Sequence, residues 1–351
     1  MNVLTIELLI AAFAGGLFGA ALGPLPAFVF TGVLVIVGET LAIVHRTLGP
    51  ETAVPPVTDA IAFGVVFGPH VSFAGGAAAV AFAAHRGYID APGFAYHPAK
   101  LITRGLGTKP DVLLVGGAFG VLGHLLLVGS TTISAPWDPV AMAVVLSALA
   151  HRVVFGYDLV GNVRMKDLLD MSPFERQAGT AADGSGSTER KRPPVEPWLP
   201  YMYRWDGVAL LGGAVGVLGA YLAYVTGSAF LAFGISAATL LFICAGVDGI
   251  PVTHHITLPA STAVLAVAGV PMTEATPETV AAAIPLWEAL ALGAVFGLVG
   301  ALVGELLQRI FYAHAETHLD PPAASIVVTS ALVALLAMAG VFETSVWVPH
   351  P

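Results

Sequence analysis

The sequence predicts an all-α polytopic membrane protein with about ten transmembrane segments, arranged as two homologous halves of five segments each. Three observations support this prediction. The chain of 351 residues is 56% hydrophobic and only 11% charged, whereas a soluble domain carries roughly 25% charged residues. Apolar segments long enough to cross a bilayer recur along the whole chain. Several short motifs of the first half return in the same order in the second half.

Eight segments have the length and composition of spanning helices, since a span needs about 20 apolar residues. They lie near residues 5–23, 25–45, 111–133, 138–156, 206–226, 228–247, 284–308 and 322–341. Two further apolar segments, 57–85 and 250–270, are predicted to be interrupted helices because proline, glycine and polar residues break them. The first segment has no basic region before it, so we predict a retained helix and not a cleaved signal peptide.

Four sequence matches in the same order indicate an internal duplication. Three of them pair GGLFG (15–19) with GGAVG (212–216), FGVLGHLLL (119–127) with FGLVGALVG (296–304), and DPVAMAVVLS (138–147) with DPPAASIVVT (320–329). The fourth match aligns His70 with His255 and, two residues later, Ser72 with Thr257. We therefore predict an N-terminal transmembrane repeat at 1–156 and a C-terminal transmembrane repeat at 206–351.

The polar stretch 157–205 separates the two repeats and is predicted to be a cytoplasmic linker, flexible in part. It contains AADGSGSTERKRPPVEP, which is rich in glycine, serine, proline and charge. With this linker inside and five crossings per half, only Arg46 of the 14 basic residues lies outside, as the positive-inside rule favours. Five crossings make the repeats inverted. Four crossings, with re-entrant interrupted segments, give parallel repeats and place only Arg309 outside. The length of segment 57–85 favours five.

The interrupted segments each carry a histidine at the matched position, and we predict that they build one central solute site. Pro69 and the run 248–251 end whatever helix precedes them, while Ser72 and Thr257 are good N-cap residues. A following helix of about 13 residues is only about 20 Å long, so its start must lie at depth, beside protein or a water-filled cavity. The start of such a half-helix attracts anionic or electron-rich groups.

The predicted substrate-binding residues are all polar positions of this motif: His70, Ser72, His254, His255 and Thr257. Imidazole can donate, accept or carry a proton near neutral pH, and polar residues inside membranes are candidates for function. His254 ranks below the others because it has no histidine partner in the first repeat. The alternative is that each histidine only bonds a neighbouring carbonyl and so fixes the broken helix.

Glycines at i and i+4 predict close helix packing, because missing side chains let two backbones approach. The predicted packing residues are Gly116, Gly120, Gly212, Gly216, Gly293 and Gly297. In HAETH, His314 and His318 would share one face of a helix and are the weak candidates for a metal pair. The order differs from HExxH, and the overall prediction is no metal site and no cofactor.

These observations predict a transport protein, either a channel or a secondary transporter, for a small neutral or anionic solute. Two alternatives remain: a structural protein that forms a tight oligomer, and an intramembrane enzyme holding a metal through His70, His254, His255 and Asp248. The sequence lacks a phosphate loop and a dinucleotide fingerprint, which excludes a pump with its own nucleotide domain. Expected partners are the lipid bilayer, the solute and further copies of the chain, with no nucleic acid. The multi-pass chain is expected in the cell membrane, and its net charge of −9 is typical of a halophilic archaeon.

Overall fold

The structure is a computed structural model that describes residues 4–49, 54–90, 97–161, 167–171 and 201–351. All regular secondary structure in these ranges is helical. The first half contains α1 (Ile6–Leu22), α2 (Pro24–Leu48), a π-helix (Val57–Ala62), α3 (Ser72–His85), a 3₁₀ turn (Pro98–Lys100), α4 (Pro110–Thr132) and α5 (Pro139–Phe155). The second contains α6 (Trp205–Thr226), α7 (Leu231–Ala238), α8 (Leu241–Cys244), α9 (His254–Ala268), α10 (Pro277–Ala283), α11 (Leu286–Phe311) and α12 (Pro321–Met338).

Five helices of the described chain are long and apolar enough to span a membrane, namely α2, α4, α6, α11 and α12. Helices α1, α3 and α5 and the α7–α8 pair are also apolar but shorter. An all-helical protein with several such helices is compatible with the membrane location that the sequence predicts. Most breakers that bounded the predicted segments also end the helices, because proline and glycine act locally on the backbone. The predicted single helix at 228–247 is wrong, since the structure divides it into α7 and α8.

Glycine contacts hold α1 against α4 and α6 against α11. A Cβ added at Gly16 would lie 2.2 Å from the Gly116 carbonyl oxygen and 2.7 Å from the Gly120 Cα. A Cβ added at Gly216 would lie 2.1 Å from the Gly293 oxygen and 2.8 Å from the Gly297 Cα. The backbones therefore touch directly, as small residues allow. The sixth predicted packing residue, Gly212, faces Ala301 on α11.

The contacts of Gly16 correspond to those of Gly216 and not to those of Gly213, with which the sequence alignment pairs it. In the described chain, a Cβ at Gly213 would have no heavy atom within 4 Å. The alignment of GGLFG with GGAVG is therefore shifted by three residues, almost one helical turn. Glycines recur so often on both helices that letters alone allow either register.

The predicted N-cap roles of Ser72 and Thr257 are wrong. Helix α3 begins at Ser72 itself, whose hydroxyl donates to the Phe67 carbonyl at 3.1 Å. Helix α9 begins at His254, and the Thr257 hydroxyl donates back to the His254 carbonyl at 3.3 Å. Both hydroxyls thus bond the preceding turn and not the free N–H groups ahead, the usual alternative for these side chains within a helix.

Both interrupted segments pass beside the middle of a long helix. A Cβ at Gly123 of α4 would collide with the carbonyl oxygen of His70, and one at Gly300 of α11 would lie 2.5 Å from that of His255. In α9, Pro259 lacks the N–H that would bond the His255 carbonyl. The irregular backbone before α3 and α9 is thereby packed against the long helices α4 and α11.

Matched helices of the two halves pack antiparallel. The Asp138 N–H, at the start of α5, donates to the Ser330 hydroxyl at 2.8 Å, past the middle of α12. Arg152, near the end of α5, donates to the Thr317 hydroxyl at 2.9 Å, just before α12. Helix α7 likewise runs against α2 in the opposite direction, from Ser228 beside Glu39 to a contact with Gly32.

Parts of the predicted linker 157–205 pack on the end of α11. Arg309 donates to the carbonyl oxygens of Leu169 at 2.8 Å and Tyr203 at 2.7 Å, and to Glu305 at 2.6 Å. Residues 162–166 and 172–200 lie outside the described residues, and so does the predicted flexibility.

Candidate functional site

A cavity of about 240 Å³ lies between the two halves. Helices α2, α3, α5, α7, α9 and α12 and the π-helix all contribute to its wall. Both members of five matched pairs line it: Pro69 and His254, Phe73 and Leu258, Asp138 and Asp320, Ala141 and Ala323, Val144 and Ile326. Ten of the 23 lining residues therefore occupy matched positions of the two halves.

Aromatic rings form much of the cavity wall. They belong to Phe28, Phe63, Phe73, Phe230, Phe233 and Trp347. Phe28 contacts Phe73 and Phe233, with ring centroids 6.0 Å apart in both pairs, and Phe230 lies 5.3 Å from Trp347. These edge-to-face and tilted contacts are favourable and hold the rings in place.

Three carboxylates lie in this apolar wall: Asp59, Asp138 and Asp320. Asp138 caps α5 by accepting the Val140 N–H at 2.7 Å, and Asp320 caps α12 by accepting the Ala323 N–H at 2.8 Å. The two Asp–Pro motifs are helix starts, as expected, and they also face the cavity. Among the described residues, no lysine or arginine lines it. Of the two solute classes that the sequence predicts, neutral and anionic, this wall favours the neutral one.

The two matched histidines do not line this cavity. His70 is buried against Gly68 at the turn before α3, and its neighbour Pro69 takes the place in the wall. The His255 ring lies beside Gly304 and borders a separate cavity of about 20 Å³. The predicted convergence of both histidines on one central site is therefore absent from the described structure.

His254, ranked lowest from the sequence, is the histidine that does line the central cavity. It is only 3% exposed, and its ring lies 4.9 Å from that of Phe28. Its Nδ1 has no hydrogen-bond partner within the described ranges. This nitrogen is itself enclosed by the protein, so His254 contributes the surface of its ring to the cavity wall. Ser72 and Thr257 are buried and bond backbone carbonyls.

The weak metal candidates His314 and His318 do not share a helix face, because residues 312–320 form turns between α11 and α12. The His314 Nε2 lies 3.0 Å from the Leu168 carbonyl oxygen. The His318 Nε2 lies 3.5 Å from the Asp320 carboxylate. Within the described chain, no group of three or more His, Cys, Asp or Glu side chains is placed to hold a metal ion.

Two buried cations, which the sequence did not assign to a site, tie α5 and the 98–102 turn to the end of α11. Lys100 donates to the Tyr312 carbonyl at 2.8 Å and lies 4.1 Å from the centre of that ring. Arg152 donates to the Phe311 carbonyl at 2.8 Å and to Thr317. The carbonyls that end α11 carry the negative end of its dipole, which these cations stabilise. In the sequence, Arg152 stands out only because the alignment of the repeats pairs it with an apolar residue, Ala334.

A buried carboxylate in the second half of α2 joins the two halves of the protein. Glu39 accepts hydrogen bonds from Thr58 on the π-helix and from Ser228 before α7, both at 2.7 Å. Ser228 in turn accepts the Leu231 N–H at 2.9 Å and so caps α7. Because Asp59 follows Thr58 directly, this network also places the third carboxylate of the cavity. The π-helix itself is a form often found at functional sites.

Comparison with known proteins gives one match. No curated protein and no solved structure matches the chain. A family model described as "Family of unknown function (DUF7973)" matches residues 1–351, which is the full length of the sequence. The chain therefore belongs to the DUF7973 family.

Proposed function

We propose that this protein is a multi-pass transport protein of the cell membrane and that the central cavity holds its solute. The observation that carries the proposal is the composition of the cavity wall, to which both members of five matched pairs contribute. Solute sites of repeat-built transporters lie at the interface of the repeats, where broken helices meet. The cavity here occupies that position, next to the starts of α3 and α9.

The packing directions support an inverted repeat of five crossings per half. If the repeats were parallel, equivalent helices would point the same way. Helix α5 instead runs against α12, and α2 runs against α7. Counted with segments 57–85 and 245–268 as crossings, the chain traverses the bilayer ten times and returns its 157–205 segment to the cytoplasm. Access from each side would then alternate as the halves rock about the cavity.

The contacts between the halves suit such a movement. Lys100 and Arg152 join them at the cytoplasmic end in this topology, and Glu39 joins them near the other end. Between these two polar contacts the interface is open and apolar. The alternative of a purely structural protein predicts a solid interior between the interrupted segments, and the cavity of about 240 Å³ disfavours that alternative.

The test is to fill the cavity and measure solute flux. Val144 lines the cavity and is 4% exposed, whereas Leu146 on the same helix is 39% exposed and does not line it. Proteoliposomes would be mixed with ethylammonium, urea, glycerol or acetate, and swelling followed by stopped-flow light scattering. We expect wild type and Leu146→Phe to accelerate the entry of at least one solute over protein-free liposomes, and Val144→Phe to abolish the acceleration.

Two results would contradict the proposal. One is a folded wild-type protein that accelerates none of these solutes. The other is a folded Val144→Phe variant that transports as fast as wild type. The outward-facing control on the same helix separates a block of the cavity from a general effect of an added ring.

A further inference from the structure

We propose that the central cavity binds a monovalent organic cation with an apolar body, such as an aromatic or alkyl ammonium ion. The inference rests on the assignment of this cavity as the solute site and names its ligand class. It follows from three properties of the described wall: the sign of its charges, a buried carboxylate without an ion pair, and the chemistry of its apolar surface.

The charge of the wall is negative. Asp138, Asp320 and the exposed Asp59 line it, and no lysine or arginine of the described chain does. The histidines nearby are His254 in the wall and His318, whose Nε2 lies 3.5 Å from Asp320. Each helix start contributes only about half a positive charge, which is less than the full charge of the carboxylate that caps it. The buried cations Lys100 and Arg152 are directed to carbonyl oxygens at the end of α11 instead.

Asp138 is the wall carboxylate whose charge is least compensated by the described protein. It is 9% exposed, and its Oδ1 accepts both the Val140 and the Ala141 N–H. In the described structure it forms no ion pair, and its Oδ2 accepts no hydrogen bond. A buried carboxylate without a counter-charge is unfavourable, and a bound cation would supply that charge.

The apolar part of the wall suits the body of such a cation. Six aromatic side chains line the cavity, and the faces of aromatic rings attract cations within about 6 Å. A simple metal ion would leave most of this surface without contact. A volume of about 240 Å³ admits an ammonium group together with an aromatic ring or a branched alkyl group.

His254 extends the ring surface of the wall. It lines the same cavity as Asp320, and its ring lies 4.9 Å from that of Phe28 and 5.7 Å from that of Phe233. Its Nδ1 is enclosed by the protein. The cavity therefore offers carboxylates for the charge and ring surfaces for the apolar body.

The test compares three probes of similar size on the full chain in lipid nanodiscs. The probes are phenyltrimethylammonium, its neutral isostere tert-butylbenzene, and benzoate. Saturable binding is measured by equilibrium dialysis, with protein-free nanodiscs to subtract partition into lipid. We expect phenyltrimethylammonium to bind at least about tenfold more tightly than tert-butylbenzene, since only the cation is attracted by the carboxylates and by the faces of the rings. Benzoate is expected not to bind.

Asp138→Asn and Asp320→Asn remove one charge each, and asparagine caps a helix about as well as aspartate. We expect Asp138→Asn to raise the Kd for phenyltrimethylammonium about tenfold or more, and Asp320→Asn to raise it less, because His318 already lies 3.5 Å from Asp320. Both should leave the binding of tert-butylbenzene unchanged. The control is Asp206→Asn, since Asp206 has a 73% exposed side chain at the start of α6 and lies outside the cavity wall. It should bind as wild type does.

Equal binding of the cation and its neutral isostere would overturn the inference. So would tighter binding of benzoate, or folded Asp138→Asn and Asp320→Asn variants with unchanged affinity. The flux experiment is decided separately. If the protein binds cations selectively but moves no solute, transport is rejected and the proposed ligand class stands. If Val144→Phe blocks flux but the cavity shows no preference for cations, transport stands and the ligand class is rejected.

Discussion

Replacing Gly216 by alanine is expected to lower the free energy of unfolding by about 2 kcal/mol, whereas Gly213→Ala, three residues earlier on α6, should leave it unchanged or raise it slightly. The added Cβ at Gly216 would lie 2.1 Å from the Gly293 carbonyl oxygen, and ordinary contact begins at 3.4 Å. Neither the added Cβ nor the backbone oxygen of Gly293 can move away without moving its helix. Helices α6 and α11 must therefore separate by about 1 Å. Overpacking of this kind typically costs about 1–3 kcal/mol, and the separation also weakens neighbouring contacts.

At Gly213 the balance is reversed. No heavy atom of the described chain lies within 4 Å of the added Cβ, and alanine is favoured over glycine inside a helix by roughly 0.5–1 kcal/mol. Gly16→Ala on α1 provides a second comparison, because its Cβ would lie 2.2 Å from the Gly116 oxygen. We therefore expect Gly16→Ala and Gly216→Ala to behave alike.

The assay is reversible unfolding of the full chain in mixed micelles as the mole fraction of sodium dodecyl sulfate rises, followed by circular dichroism. The order of stability expected is Gly213→Ala at or above wild type, with Gly16→Ala and Gly216→Ala well below it. If Gly213→Ala were the destabilising change on α6 and Gly216→Ala were silent, the contact register argued here would be refuted and the alignment by letters restored.

Two further changes test the polar contacts between the halves by the same unfolding assay. Arg152→Met should lower the free energy of unfolding by about 3 kcal/mol, because several buried acceptors lose a charged donor. The control is Arg204→Met, which should change it little because the Arg204 side chain is 65% exposed. Equal effects of the two changes would refute a structural role of the buried guanidinium. Thr58→Val should lower the free energy of unfolding by about 1–3 kcal/mol, because it removes one of the two donors to Glu39. The control Thr40→Val removes only a hydrogen bond to its own helix. A Thr58→Val variant as stable as wild type would show that water replaces the hydroxyl.

The positions of the helices could be predicted from the sequence because the signals are local. A run of apolar residues fixes the length of a segment, and Asp138–Pro139 and Asp320–Pro321 mark helix starts through their own backbone chemistry. Breaks were predicted at Pro69 and at 248–251 in the same way, since proline and glycine prevent a regular helix, and both positions lie in non-helical stretches of the structure.

The side chains that face the cavity could not be predicted in this way. The motif was located correctly, yet Pro69 and His254 line the wall and the matched histidines beside them point elsewhere. Consecutive residues of a helix lie about 100° apart around its axis, so a shift of one position moves a side chain to another face. Which side chains face the cavity depends on which glycines of α4 and α11 contact the irregular backbone before α3 and α9. This contact joins segments that are distant in the sequence.

The sequence by itself determined the helical class, most helix boundaries and the repetition of motifs, because composition, breakers and caps act within a few residues of each other. It did not indicate that 228–247 is divided into α7 and α8. Only the tertiary structure decided that Asp138 and Asp320 meet at one cavity, that His254 accompanies them, and that Arg152 and Lys100 close the end of α11. These groups come together through long-range packing of nearly featureless apolar surfaces. The register of such surfaces depends on which backbones can touch, and letters alone do not specify it.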